Sequence, residues 1–331
     1  MDTTTPISSV TYNGASIPLA SGTSNELLKG ILNGTITSVT AKDLDGVTKI
    51  TPSLFESNRN LTSVELSSTI TEIGDASFLN CTNITDFLTN DALTNIGNSA
   101  LWMCEKITAL NLPNIVWLGD RCCAGCYALQ TISWGSNLRK IGNYAFDGCS
   151  LLTSIPTIPA SCTSIGNAPF NGCEITTINV DENNSRYSSL DGVLYNKQQT
   201  QLIQFPCKHS TNFIVPSTVG RIGEKAFAWS IIETIEIPDS VSVIDPYAFE
   251  GCFSLTELTL PSSVTQLREG TLDWLELTHL TLLANEVVVL DTIEIIENAV
   301  IEKIIVPAEL VDAYKTDENW GNYADIIEAY A

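Results

Sequence analysis

A unit of about 23 residues recurs through most of this chain. A chain so built buries its apolar residues by stacking each unit on the next. Residues 61–83, LTSVELSSTITEIGDASFLNCTN, set the frame, and residues 84–106 repeat it. An apolar strand pattern, Leu-x-x-Val-x-Leu, comes first. An Ile-Gly pair follows, with an apolar residue four positions after the Gly and Cys seven after it. The pairs are Ile73-Gly74, Ile96-Gly97, Leu118-Gly119, Ile141-Gly142, Ile165-Gly166 and Ile222-Gly223. Ile50-Thr51, Ile244-Asp245 and Leu267-Arg268 are degenerate copies, making nine.

Each part of the frame has a physical meaning. The Leu-x-x-Val-x-Leu segment is a short strand that pairs with its counterpart one coil away, about 4.8 Å distant. The Ile-Gly-x-x-Ala-Phe segment is a tight turn entering a helical or 3₁₀ turn, with Ala and Phe directed into the core. The predicted class is an α/β repeat solenoid: coils of short parallel strands and short helical turns. Residues 46–303 form the solenoid, after a leader or attachment segment over 1–45. Around 179–206 the frame breaks: Asp191-Gly192 is followed by Val-Leu-Tyr, then Lys197 to Thr200 and Leu-Ile-Gln-Phe, which reads as strand, turn, strand, an inserted β-hairpin. Residues 304–331 predict a last strand and a helical cap with periodic Leu310, Tyr314, Trp320 and Ile326.

Composition excludes some partners. Against 38 acidic residues stand 16 basic ones, a net charge of −22. Nucleic acid and anionic membrane surfaces need clustered Lys and Arg, so neither is an expected partner. No run of 18 apolar residues is present, so no membrane insertion is expected. The opening MDTTTPISSVTYNG lacks a basic stretch followed by an apolar one, so it does not read as a secretory signal. Either a signal has been removed, or the chain leaves the cell by another route.

The IG-x-x-AF-x-x-C signature, the DGVLY hairpin and the VPAELVDAY…W terminal segment together resemble the BspA-like leucine-rich repeat, over roughly residues 36–331. That resemblance implies a non-enzymatic surface protein that adheres to protein or glycan on host cells, matrix or other bacteria. It carries no shared catalytic or ligand motif. The N-terminal segment is similar to leaders on gut-phage structural proteins with the same repeats. The alternative it implies is a virion head or tail-fibre protein that contacts other virion proteins and attaches to host or mucus. The expected location is extracellular, at a cell surface or on a virion.

Six of the ten cysteines, Cys81, Cys104, Cys126, Cys149, Cys173 and Cys252, share one repeat position. They read as a disulfide or metal ladder, or as a column of small buried hydrophobes. Parallel side chains on stacked coils do not aim their sulfurs at each other, which favours the second reading. Cys122-Cys123-Ala-Gly-Cys126 contains a CxxC, but Cys123 and Cys126 fall on the repeat's Phe and Cys positions. No second CxxC or His pair completes a zinc set. His209 and His279 have no nucleophile motif nearby and read as surface residues. No catalytic residue and no cofactor or metal ligand is expected.

Candidate binding residues come from two places. The outward middle position of each strand carries Glu65, Asn111, Ser133, Glu236, Thr259 and Thr281, a polar ladder. Trp117 falls where other copies carry Glu72, Asn95 and Lys140. Trp102, Trp229 and Trp274 fall five or six residues after the Gly position. These tryptophans read either as anchors on an exposed edge or as packing under a neighbouring loop. Trp134 takes the place of Leu66 and Leu112 and is expected in the core.

Overall fold

The computed structural model describes residues 9–12, 15–18, 30 and 35–330. The chain divides into two compact units, Met1–Glu174 with Val180–Arg186, and Ile175–Asn179 with Tyr187–Ala331. Of the leader, Ser9–Tyr12 and Ala15–Pro18 pair as antiparallel strands. Residues 1–8, 13–14, 19–29 and 31–34 of it lie outside the described residues.

In the first unit each coil crosses two parallel sheets. One sheet is made of the residues at and just before the Ile-Gly pair. Its six strands are Lys49–Ile50, Glu72–Ile73, Asn95–Ile96, Trp117–Leu118, Lys140–Ile141 and Ser164–Ile165. They pair in strict register, so Ile50, Ile73, Ile96, Leu118 and Ile141 form a single buried column. The residue before each points outward, as strand alternation requires. The Leu-x-x-Val-x-Leu segments make the other parallel pairings: Ser38–Val39, Ser63–Glu65 and Asp86–Leu88 in one sheet, Ala109–Leu112 and Thr131–Trp134 in another.

The Gly of Ile-Gly is fixed by backbone approach. A Cβ on Gly119 would lie 2.6 Å from the Asn98 nitrogen, and one on Gly142 would lie 2.4 Å from the Gly119 carbonyl carbon. The next residue is Asp or Asn, and its side chain carries the stacking forward. Asp75 accepts the Asn98 backbone N–H at 2.7 Å, Asn98 accepts that of Asp120 at 2.9 Å, and Asp120 accepts that of Asn143 at 3.0 Å. Asn143 accepts the Asn167 N–H at 2.8 Å.

The turns after Ile-Gly form a further ladder. Alternate N–H groups donate to the next coil: Ala76 to Asn98, Phe78 to Ala100 and Asn80 to Trp102. The intervening N–H groups close i→i+3 turns, as Leu79 does to Ala76. This alternation turns two residues per coil into the left-handed region, two and six positions after the Gly. The Phe column stacks inside: Phe55 on Phe78 at 4.9 Å and 8°, Phe146 on Phe170 at 5.6 Å and 11°. Trp134 is buried as expected.

The cysteine column lines this core. All ten cysteines are free and buried. Each column thiol donates to a backbone carbonyl of the preceding coil, as Cys81 does to Phe55 at 2.9 Å and Cys104 to Phe78 at 3.2 Å. The frame therefore uses Cys as a small apolar residue with one weak donor.

The second unit begins with the expected hairpin, which carries an extra strand. Tyr187–Leu190, Val193–Asn196 and Gln201–Gln204 form an antiparallel meander. Its last strand opens the second unit's own Ile-Gly sheet, pairing in parallel with Leu202 opposite Ile222, and that sheet continues to Ile244. The meander is thus built into the stack, with Val193, Tyr195 and Leu202 buried in its core. Phe227 and Phe249 stack in the same way at 5.3 Å and 12°. A further coil is present at Val289–Leu290, which pairs with Gln266–Leu267. It lacks Ile-Gly, although Leu290 follows Leu267 by the repeat's own 23 residues.

The C-terminal segment closes this core. Ala308–Leu310 and Trp320–Ile326 are 3₁₀ turns and Val311–Thr316 is α-helical. Tyr314 and Trp320 are buried, 5.4 Å apart edge to face, and both serve Val288. The Val288 N–H donates to the Tyr314 hydroxyl at 3.0 Å, and the Trp320 indole donates to the Val288 carbonyl at 2.7 Å. The helical cap does not end the chain: Ile327–Ala329 returns as one more parallel strand, Ile327 opposite Ile304.

Candidate recognition surface

On the outward strand positions the polar residues are partly as read from sequence. Glu65, Asn111, Ser133, Glu236 and Thr259 are exposed. Ser133 donates to Asn111 at 2.5 Å, so two of these groups are already paired. Thr281 departs from the expectation and is buried, because its strand runs between Thr259 on one side and the bulkier Ile305 on the other. The ladder is also less polar than expected. Leu88 and Ile214 occupy the same middle position and are exposed. In the sequence they are hidden, because apolar residues in a strand pattern read as core.

Trp117 stands out from the Ile-Gly sheet, 47 % exposed. Its register partners are Asn95 on one side and Lys140 on the other. The Lys140 Nζ lies 4.4 Å from the indole centroid, a cation–π contact. On the Asn95 side is a cleft of about 240 Å³ lined by Glu72, Asp75, Asn95, Asn98 and Trp117.

The other three tryptophans differ among themselves. Trp102 is half-buried, and the Arg121 guanidinium sits between it and Tyr144, 6.0 and 4.7 Å from the two rings. Trp229 and Trp274 are 41 % and 59 % exposed. Both lie in the left-handed region, φ 61 and 63, at the position where other coils carry Gly125, Gly148, Gly172 and Gly251. Trp229 lies across Gly251 of the next coil, where a Cβ would meet the ring at 2.8 Å. It packs edge to face on Phe253 at 5.7 Å, and Phe253 is itself 57 % exposed. The first unit repeats the device with Met103 and Tyr127, whose hydroxyl is 3.7 Å from the Met103 sulfur. Phe253 and Tyr127 both fall two residues after a left-handed Gly, a spacing that was legible.

Two groupings have the residue types of chemistry without its geometry. The His279 Nδ1 lies 3.3 Å from Glu257 and 3.2 Å from the Thr278 hydroxyl. A proton relay needs the nucleophile and the orienting carboxylate on opposite ring nitrogens. Here both meet the same nitrogen, and the Thr278 hydroxyl donates to the Thr256 carbonyl. His209 is half-buried against Phe205, its Nδ1 2.9 Å from the Thr176 carbonyl. Cys122, Cys123 and Cys126 cluster wholly inside the core. Hydrogen bonds with Cys122 and Cys126, and then burial, push the Cys123 thiol well above its ordinary value. A reactive CxxC needs the opposite shift. Among the described residues, no group of three or more His, Cys, Asp or Glu is arranged to hold a metal ion. No described helix is long and apolar enough to cross a membrane.

The family model for the BspA type leucine rich repeat region matches residues 32–126, 116–211 and 203–314, six copies in all. The chain belongs to the BspA-type leucine-rich-repeat family. Similar folds occur among solved structures. A leucine rich cell surface protein from Faecalibacterium prausnitzii is 24 % identical with a TM-score of 0.67, over 98 % of this chain and 87 % of that one. A leucine-rich repeat protein from Eubacterium ventriosum is 24 % identical with a TM-score of 0.58, over 85 % and 70 %. The pneumococcal vaccine antigen PcpA is 20 % identical with a TM-score of 0.61, over 82 % and 74 %. Among curated proteins, none matches.

Proposed function

We propose that this BspA-type protein is a non-enzymatic adhesion and recognition module displayed on a bacterial cell surface. Its coils hold an extended surface for protein or glycan on host cells, matrix or other bacteria. The carrying observation is the pair Trp229 and Trp274. A left-handed backbone costs an L-residue roughly 1–2 kcal/mol, and Gly avoids that cost. Four coils place Gly there, so the stack does not require an aromatic at that position. Large exposed aromatics kept at the fold's expense are the kind of residue that anchors an interface. Surface display is supported by the description of the F. prausnitzii relative as a cell surface protein.

The test is binding of purified protein to immobilised mucin, matrix proteins, host cells and whole bacteria. Trp229→Ala with Trp274→Ala should weaken binding more than Glu65→Ala with Thr259→Ala, and Trp102→Ala should fall between. Normal binding by the Trp variants with loss in the ladder variants would move the recognition face to the strands.

A further inference from the structure

The first unit holds a cleft that the repeat alone does not explain. Its wall is Trp117, in a column otherwise filled by Lys49, Glu72, Asn95, Lys140 and Ser164. Register places Lys140 on one side of the indole and Asn95 on the other. Lys140 covers one ring face, which leaves the opposite face bordering the cleft. There an apolar ring face stands beside hydrogen-bonding groups of both kinds.

The donors and acceptors are only partly used. Neither the Asn95 side-chain amide nor the Trp117 indole N–H has a hydrogen-bond partner among the described residues. The Glu72 Oε1 accepts from Lys49 at 2.7 Å, which leaves its second oxygen free. Asp75 accepts the Asn98 backbone N–H at 2.7 Å and its side-chain amide at 3.4 Å, and each carboxylate oxygen has a further lone pair. A cationic ligand would use the carboxylates and waste the Asn95 amide and the indole donor. A hydroxyl both donates and accepts, so a hydroxyl-rich ligand uses both sets. A pyranose adds an apolar face of C–H bonds, which suits the negative face of an indole.

We propose that the Trp117 cleft is a subsite for one uncharged hexopyranose at an end or branch of a glycan. The sugar's apolar face stacks on Trp117, Asn95 bridges a pair of hydroxyls, and Asp75 and Glu72 accept from others. This deepens the adhesion reading and rests on it for its biological sense, although the subsite is testable alone. It is an open, single-ring cleft, so each site binds weakly and a surface carrying many copies binds through avidity.

Saturation-transfer NMR on the full chain with free galactose, mannose, glucose, N-acetylglucosamine and N-acetylgalactosamine tests it. At least one sugar should receive transfer on the ring protons of one face. Trp117→Ala should abolish that transfer, Asn95→Ala should weaken affinity at least about tenfold, the range of a lost buried polar pairing, and Trp117→Phe should retain it. Lys106→Ala, an exposed change elsewhere in the first unit, should leave it unchanged, and Trp117→Ala should melt as wild type does, which separates loss of the subsite from loss of the fold. The subsite is overturned if no sugar shows transfer, or if transfer survives Trp117→Ala. Binding of an Arg-rich peptide lost in Asp75→Asn, with no sugar transfer, would reassign the cleft to a cation. Adhesion to cells that persists without sugar transfer overturns the subsite and leaves the adhesion reading standing. Sugar transfer without adhesion to any surface does the reverse.

Discussion

The two units close the same edge of the coil in different ways. In the first, Gly74, Gly97, Gly119, Gly142 and Gly166 form an unbroken column, and the Asp or Asn after each of the first four accepts a hydrogen bond from the next coil. In the second, the column runs Gly223, Asp245, Arg268. Asp245 is buried there, held by two bonds from Arg221 at 2.6 and 2.8 Å and one from Arg268 at 2.8 Å. Lys225 pairs with Glu250 beside them. Space explains the difference. A Cβ on Gly119 meets a backbone nitrogen at 2.6 Å, whereas one on Gly223 meets its nearest atom, the Leu202 carbonyl oxygen, at 3.0 Å. Where backbones press together the stack requires Gly and short Asp and Asn relays to backbone N–H groups. Where they part, longer side chains enter, and an ion-pair chain replaces those relays. Both partners of Asp245 are partly exposed, so screening keeps the net gain modest.

What the units share should yield the largest effects. Phe146→Ala and Phe227→Ala each remove a fully buried ring from the Phe stack of their own unit. Each should cost about 3–5 kcal/mol in a urea or thermal melt and loosen the adjoining coils. A melt unchanged from wild type would mean the frame is misaligned.

The edge itself separates the units next. Gly119→Val should cost about 3 kcal/mol, because the added carbons meet backbone that cannot move aside. Gly223→Ala should cost about 1 kcal/mol or less, since its nearest neighbour is at 3.0 Å. Equal losses would show that the two edges do not differ in spacing.

The thiols limit the contrast, although five of the six column cysteines lie in the first unit. Burial pushes Cys81 up to about 12, and Cys104 and Cys149 well above their ordinary value. A raised folded value gives stability that is complete below the unfolded thiol's 9.0 and lost as pH rises toward about 12. Alkaline titration, followed by circular dichroism, should therefore cost the first unit stability between about pH 9 and 12, and the second unit, where burial raises Cys252 and Tyr314 to about 12, should lose stability over the same range. Thiol titration in denaturant without reductant should find most of the ten reactive. Fewer than about half would reveal the disulfide framework that the stacked geometry argues against.

Much of the fold was legible because the frame repeats. One register, read from Ile73-Gly74 and Ile96-Gly97, places the Ile, Phe and Cys columns together. The strand Tyr187–Leu190 ahead of the hairpin was not legible, because its Tyr-Ser-Ser-Leu has no apolar alternation, and the coil at Leu290 was not, because it lacks the Gly that marks the turn. Leu290 was recoverable from spacing alone. Thr281 misled because its neighbour Ile305 lies in the next coil, and a single strand's alternation says nothing of what flanks it. The site was less legible. Trp117 was readable as an intruder in a polar column, but the unpaired Asn95 amide beside it emerges only from register. Trp229 and Trp274 could be placed on an edge, while their left-handed backbone became visible only once the alternating turn bonds were in view.

Trp274→Gly carries the smallest expected effect on stability and bears most directly on the reading of these aromatics as a recognition edge. Gly fits the left-handed backbone, and the lost side chain is mostly in solvent. The relief of strain and the added freedom of the unfolded chain oppose each other, so the melt should stay within about 1 kcal/mol of wild type. Binding to the cell, mucin or matrix surface that captures the wild type should fall by about thirtyfold, the loss of one interface anchor worth about 2 kcal/mol. A variant that melts far lower, or that binds as tightly as wild type, would show that Trp274 is there for the fold and contradict its assignment to recognition.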